Sequence, residues 1–269
     1  MHIVVCVTLV EDPETPHDLL RVDEATKTAV RIGSGSQVMN PFDEQALEAA
    51  LRIRDATSQP ESVSISALTL CDGSDKAIKH ALAMGADAAV MIVDPIFRQC
   101  DYHATAAGLA AAVRKLGNVD LVLTGRQMTD SDAGIVGAGL AELLKIPVIT
   151  LARKIKVADS EVTVCRAIGE GEETMQATLP ALITIAHELG AVRKPSLRET
   201  MRAGKKPITR LTKSDLNIPV EVFDPSSSHA SVMELCKPLI ESNCQWIAGE
   251  SSADKAKALV DHLIAERIL

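Results

Sequence analysis

Residues 120–137 read DLVLTGRQMTDSDAGIVG. Asp120 to Gly125 is a short apolar, β-prone run, and from Ala133 to Leu144 apolar residues recur at helical spacing. The segment therefore reads as strand, loop and helix in succession. The same alternation continues on both sides. Residues 3–10 (IVVCVTLV), 63–70 (VSISALTL), 88–93 (AAVMIV), 147–151 and 181–186 (ALITIA) read as buried strands. Helices are expected after Asn40-Pro41, from Ser74 through Leu82 with Gly85 as the stop, and over 104–116. Strands separated by helices predict an α/β fold, a mostly parallel sheet with helices on both faces. Ligands of such sheets sit beyond the carboxyl ends of the strands, which is where the loop after Gly125 falls.

Three stretches depart from this pattern. Residues 11–39 read as an irregular excursion containing a hairpin, with LLRVD and TAVRI flanking EATK. After Arg153, the segments KIKVAD, EVTVCRAI and ETMQATL read as an antiparallel meander inserted before the last core strand. From about residue 188 the core-like pattern fades. Residues 189–218 are polar and rich in Lys and Arg, a length without core residues that suggests a docking surface. Residues 219–251 contain Pro219, Pro225 and Ser226-Ser227-Ser228, yet carry Val232, Leu235, Leu239 and Trp246; they read as an extended C-terminal arm that wraps a partner. Residues 252–266 end the chain in a helix with Ala256, Leu259, Val260 and Leu263 on one face. The expected organisation is a core over 1–218 and an arm with its helix over 219–269.

Composition removes several function classes. The 269 residues are 46% hydrophobic but only 2% aromatic, and the net charge is -8. A chain with few rings to stack on bases and no basic stripe is a poor nucleic-acid binder. The six cysteines and seven histidines are scattered, without the clustered ligands that zinc or iron–sulfur sites require, so no metal is expected. Free cysteines fit a reducing, cytoplasmic setting. Met1-His2-Ile3 runs into a strand-like segment without a basic leader, and no apolar run approaches the roughly 20 residues of a membrane span.

The loop Gly125 to Gly137 carries the chemistry best. Small residues before a helix leave backbone N–H groups free for a phosphate. An ordinary loop with an aspartate cap is the competing reading of the same residues. Gly33-Ser34-Gly35-Ser36 follows no core strand and reads as a turn. Neither GxGxxG nor GxxxxGK[ST] is present, which counts against a common dehydrogenase or P-loop enzyme. Cys6 reads as packing, and Asp130 and Asp132 as capping or solvated groups.

Five motifs in register resemble the β subunit of electron transfer flavoproteins. They are Met39-Asn40-Pro41-Phe42-Asp43-Glu44, the run Ala81 to Asp87, the loop Gly125 to Gly137, Val164-Cys165-Arg166 with Glu173 and Pro180 to Thr184, and Arg193 with Pro195-Ser196-Leu197, Ala203 and Lys205-Lys206. The likeness runs from residue 2 to about 218. It implies an electron carrier subunit and no catalysis of its own. The β subunit pairs with an α subunit, shares with it one redox-active FAD, and buries a second nucleotide, AMP or, in electron-bifurcating members, a second FAD. Carried over by position, that nucleotide touches Cys6, Asn40, Pro41, Phe42, Asp43, Leu70, Gly125, Arg126, Gln127, Met128, Thr129, Asp130, Ser131, Asp132, Ala133, Gly134, Ile135 and Val136. Adenine is expected between Cys6 and the Asn40-Pro41-Phe42 turn, with phosphate at a helix beginning near Ala133.

The resemblance further places a partner-recognition loop at 189–206, involving Arg193, Pro195, Ser196 and Leu197. Leu197 would anchor on an acyl-CoA dehydrogenase or another flavin dehydrogenase. This sequence departs from the family where Ala167 follows Arg166, a position often acidic that clamps the mobile flavin domain; Glu170 and Glu172 are the substitutes at hand. Gly134 and Val136 look more like the bifurcating type, while Asn40 to Glu44 look more like the AMP type, which is the reading adopted. The alternative is an adenine-nucleotide-binding enzyme or sensor on a similar sheet. Against it, Leu9-Val10-Glu11-Asp12-Pro13 supplies no glycine-rich phosphate loop after the first strand.

Overall fold

A computed structural model describes residues 1–269 except 33–36, 99, 170 and 238–243. The Gly33-to-Ser36 turn, Glu170 and Leu239 therefore lie outside the described residues. Contacts divide the rest into two compact units, Met1–Met233 and Glu234–Leu269.

In the first unit the elements are, in chain order, β1 (His2–Cys6), β2 (Leu9–Glu11), β3 (Leu20–Asp23), β4 (Thr28–Arg31), β5 (Gln37–Met39), α1 (Pro41–Ala56), β6 (Ser64–Cys71), α2 (Lys76–Met84), β7 (Ala88–Val93), α3 (Tyr102–Leu116), β8 (Leu121–Gly125), α4 (Val136–Leu144), β9 (Val148–Ala158), β10 (Glu161–Ile168), β11 (Gly171–Thr178), β12 (Ala181–Ile185), α5 (Leu197–Ala203) and β13 (Ile208–Leu211). Nine strands form one sheet in the order β11-β10-β9-β12-β8-β1-β6-β7-β13. From β9 to β13 every neighbouring pair is parallel, while β9, β10 and β11 are joined antiparallel. This is the expected α/β architecture with its meander at one edge.

Strand alternation decides which helix meets which residue. Ile3, Val5, Ile65, Leu121, Leu123 and Ile183 face the layer of α1 and α2, whose Leu47, Leu51, Ile78 and Leu82 are fully buried. Val4, Cys6, Leu68, Val122 and Leu182 face the layer of α3 and α4, where Leu109, Ala110, Val113 and Leu140 close the second core. Burial on both faces explains why the strands read as continuous apolar runs rather than alternating ones.

Four boundaries differ from the sequence reading. Residues 3–10 are not one strand: β1 stops at Cys6, and β2 pairs with β5 in a separate two-stranded ribbon. The chain lifts off because Thr8 donates its N–H to the Asp43 carboxylate at 2.9 Å instead of to a neighbouring strand. α2 takes Asp75, not Ser74, as its N-cap residue. α4 begins at Val136, three residues after the expected Ala133, since Asp132 and Gly134 have φ of 50° and 65° and cannot belong to a helix. β13 was not anticipated. It is an edge strand paired with β7, exposed at Thr209 and Arg210, so its four residues lack a core-strand pattern.

The polar segment after β12 is tied down by charge. Arg193 Nε donates to Glu48 Oε2 at 2.7 Å, and its Nη2 donates to Asp55 at 2.9 Å. Arg52 donates to the other Glu48 oxygen and to the carbonyls of Leu189 and Ala191. Glu48 is buried in α1. Burial opposes its charge, but the hydrogen bonds from Arg193 and Arg52 prevail and hold its carboxyl below the usual range. In the second unit, α6 (Ser252–Ala265) is capped by Ser251 and Asp254, and none of its residues is buried, so Leu259 and Val260 stand exposed.

Glu48→Ala removes the acid that both arginines share. Discounting for the partial exposure of the arginines, the loss is about 2 kcal/mol, or about 5 °C in Tm. Proteolysis should then cut first near Lys194, and calorimetry with a timed tryptic digest checks both.

Candidate functional site

A pocket opens on the α3–α4 face at the carboxyl ends of β8, β1 and β6. Its floor is formed by Cys6 at the end of β1 and Val7 and Thr8 after it, by Leu70 of β6 and by Thr124 and Gly125 of β8. The loop from Arg126 to Ile135 and the start of α4 form one wall; Thr105 and Leu109 of α3 form the other.

Of the residues expected at the site, Cys6, Asp43, Leu70, Gly125, Arg126, Gln127, Met128, Ser131, Ala133, Gly134, Ile135 and Val136 come together around this pocket. Asn40, Pro41, Phe42, Thr129, Asp130 and Asp132 do not line it. Three of them, Asn40, Phe42 and Asp132, hold the wall through contacts outside the pocket. Asn40 Nδ2 donates to the Gln127 carbonyl at 2.9 Å, and Gln127 in turn donates to the Asp132 carboxylate. The Arg126 guanidinium lies 5.6 Å from the Phe42 ring centroid. Of the Asn40-to-Asp43 turn, against which a base is expected, Asp43 is the residue that lines this pocket. Val7, Thr8, Thr105, Leu109, Thr124 and Gly137 also line it. Thr105 and Leu109 lacked any local signal, because only the packing of α3 on the sheet brings them there.

Asp43 holds the floor and wall together. Its Oδ2 accepts from Thr8 N–H and its Oδ1 from Gly125 N–H at 3.2 Å. Burial pushes its pKa up to about 7, against the pull of those two hydrogen bonds. Burial also raises the Cys6 thiol, with the Asp43 carboxylate adding to the effect, so Cys6 is packing rather than a nucleophile.

The start of α4 has no side-chain cap and no acid in its first turn. Its first N–H groups thus lack intrahelical partners at the positive end of the helix. Gly134, at φ 65°, gives the loop a turn that side chains rarely adopt. The wall can therefore receive a phosphate or diphosphate through backbone groups. Among the described residues no cluster of His, Cys, Asp or Glu could hold a metal.

Comparison with known proteins gives the family. The model of the electron transfer flavoprotein domain matches residues 29–216. The chain is 34% identical over 272 residues, the whole of both chains, to the caffeyl-CoA reductase-Etf complex subunit CarD of Acetobacterium woodii. It is equally identical over 282 residues, again the whole of both, to the electron transfer flavoprotein subunit beta of Megasphaera elsdenii. A third relative is the subunit of that name from Thermoanaerobacterium thermosaccharolyticum, 34% identical over 265 residues, 98% of this chain and 96% of that one. The chain belongs to the electron transfer flavoprotein β-subunit family. Its function accordingly lies in electron transfer.

Two further segments are those for which the sequence suggested partner contacts. Ser196 caps α5 in a reciprocal capping box with Glu199, which presents Leu197 at 79% exposure and Met201 at 72%. Arg193 is turned away from them toward Glu48 and Asp55, and so braces the segment. On the meander, Arg166 donates to the Thr150 hydroxyl at 3.0 Å and lies 3.5 Å from Glu173, while Glu172 pairs with Arg153. No helix among the described residues is long and apolar enough to cross a membrane.

A Cβ at Gly125 would lie 2.5 Å from Asp43 Oδ1 and 2.8 Å from the Phe42 backbone. Gly125→Ala should push β8 away from α1 and cost about 2–3 kcal/mol. Gly171→Ala, where a Cβ meets nothing within 4 Å, should change stability by less than about 0.5 kcal/mol. Denaturant titration of the two variants reads the difference.

Proposed function

We propose that this chain is the β subunit of a heterodimeric electron transfer flavoprotein. It pairs with an α subunit, completes the site of a redox-active FAD held mainly by α, and binds a second adenine nucleotide in the pocket at the carboxyl ends of β8, β1 and β6. The bound FAD supplies the electron-carrying chemistry. This chain supplies scaffold, nucleotide site and docking surface. Family membership supports the carrier role, and the uncapped start of α4 beside Gly134 is the observation that supports the nucleotide site. AMP is the ligand of the first reading. A second FAD, and with it participation in electron bifurcation, is the other reading, favoured by Gly134 and Val136, which place no polar side chain on the phosphate wall.

The co-purified α–β pair is to be heated and its released nucleotides separated by chromatography. One FAD and one AMP per dimer are expected. Two FAD per dimer would replace AMP by the second reading, and no adenine nucleotide beyond one FAD would remove the site. Gly134→Glu adds bulk and negative charge where the phosphate would sit, so the second nucleotide should be lost while the first FAD stays.

Leu197, with Met201 beside it, is the anchor for a flavin dehydrogenase such as an acyl-CoA dehydrogenase. Losing such an anchor costs about 2 kcal/mol, or roughly thirtyfold in affinity. Leu197→Ala should therefore slow electron exchange at sub-saturating dehydrogenase with flavin content unchanged. Wild-type rates in that assay would rule the anchor out.

A further inference from the structure

Residues 223–230 are pinned at two points, to the N-terminal end of α3 and to the turn before it. The Phe223 ring, 4% exposed, meets the Phe97 ring edge-on with centroids 5.7 Å apart. The second point is Asp101. Its Oδ1 caps α3 by accepting from Ala104 N–H at 2.8 Å. Its Oδ2 accepts from the backbone N–H groups of His229 at 2.6 Å and Ala230 at 3.3 Å, and the Ser228 hydroxyl lies 3.0 Å away. The His229 ring stands edge-on to that of His103 in the first turn of α3, with centroids 4.4 Å apart. Burial works against the Asp101 charge, but the hydrogen bonds from Ala104, His229, Ser228 and Ala230 prevail and hold the carboxyl below the usual range.

Capping α3 takes one oxygen, and a serine or threonine hydroxyl does that work as well as a carboxylate. The second oxygen of Asp101 is given over to residues 228–230. Past Ala230 the chain changes character. Residues 231–237 are exposed, with Val232 at 54% and Met233 at 81%, and the second compact unit begins at Glu234. How tightly such a segment holds another chain depends on how much of it must be ordered on contact. With the root fixed at Ala230, the arm starts from one place. Without Asp101 the last hold on the core would be Phe223, and the residues from Asp224 to Ala230 would have to be placed during pairing as well.

We infer that Asp101 is a positioning residue for subunit pairing: it latches residues 228–230 onto the start of α3 and so sets the point from which the C-terminal arm reaches the α subunit. The inference rests on the proposed heterodimer and adds to it the core residue that aims the arm.

The test uses the α–β pair carrying Asp101→Ser. Serine keeps a capping oxygen for α3 and leaves none for the arm. Hydrogen exchange is followed at residues 229 and 230 and in the first turn of α3, and the subunit dissociation constant is read by sedimentation over a dilution series. Exchange at 229 and 230 should quicken by about tenfold or more, and the dissociation constant should rise by about tenfold. Exchange over 104–106 should stay at the wild-type rate, which a general loosening of α3 would not allow. Should the serine variant not fold, Asp101→Thr, which keeps the same capping oxygen, reads both quantities. Wild-type exchange at 229 and 230 in these variants overturns the latch. Faster exchange there with an unchanged dissociation constant overturns its part in pairing while leaving the heterodimer standing. A wild-type chain that forms no pair with the α subunit removes the heterodimer reading and this inference with it.

Discussion

The Asp43 carboxylate sits in the first turn of α1, buried, with one oxygen on the N–H of Thr8 and the other on the N–H of Gly125. Those two N–H groups belong to the chain just past β1 and to the last residue of β8, at the carboxyl edge of adjacent strands. One side chain thereby fixes where α1 meets the sheet and where two strands stop pairing. The carboxylate can be buried because both of its oxygens are satisfied by backbone donors. Gly125 can come this close because it has no side chain, and a methyl there would strike Asp43 and Phe42 at once.

The rest of the pocket follows from that clamp. Once Thr8 N–H is taken by Asp43, the chain after β1 leaves the sheet and forms the ribbon of β2 and β5, opening the edge above Cys6. Once β8 ends at Gly125, ten residues cross to α4, and the left-handed turns at Asp132 and Gly134 delay the helix until Val136. A shorter or helical connection would carry α4 over the strand ends and close the pocket. Asn40, next to the clamp, braces the far side of the loop through the Gln127 carbonyl.

The surface around α5 is organised in a different way. Of residues 190–196 Val192 packs on the first core, and charge does the rest: Glu48, supplied by α1, gathers Arg52 and Arg193 and so holds the segment in place. The capping box of Ser196 and Glu199 then starts α5 and leaves Leu197 and Met201 standing in solvent.

The sequence by itself determined the class of fold and singled out the loop that lines the pocket. Apolar runs such as 88–93 and 181–186 could only be strands buried on both faces, and a loop of small residues between strand 120–125 and a helix could only lie at the carboxyl edge. It also carried the family, through motifs spread from Asn40 to Lys206. Tertiary structure alone decided how the pocket is made. Local patterns do not show that Asp43 reaches across to Thr8 and Gly125, a contact between residues 82 apart for the latter. Nor do they show that Asn40 and Phe42 hold the wall through contacts outside the pocket while Thr105 and Leu109 stand in it. β13 stayed hidden because an edge strand buries too little to impose a pattern, and the late start of α4 because positive φ at Asp132 follows from the loop's path, not from its composition. Periodicity reports which face of an element is buried; which residues meet across elements is set by packing, and a pocket is made of such meetings.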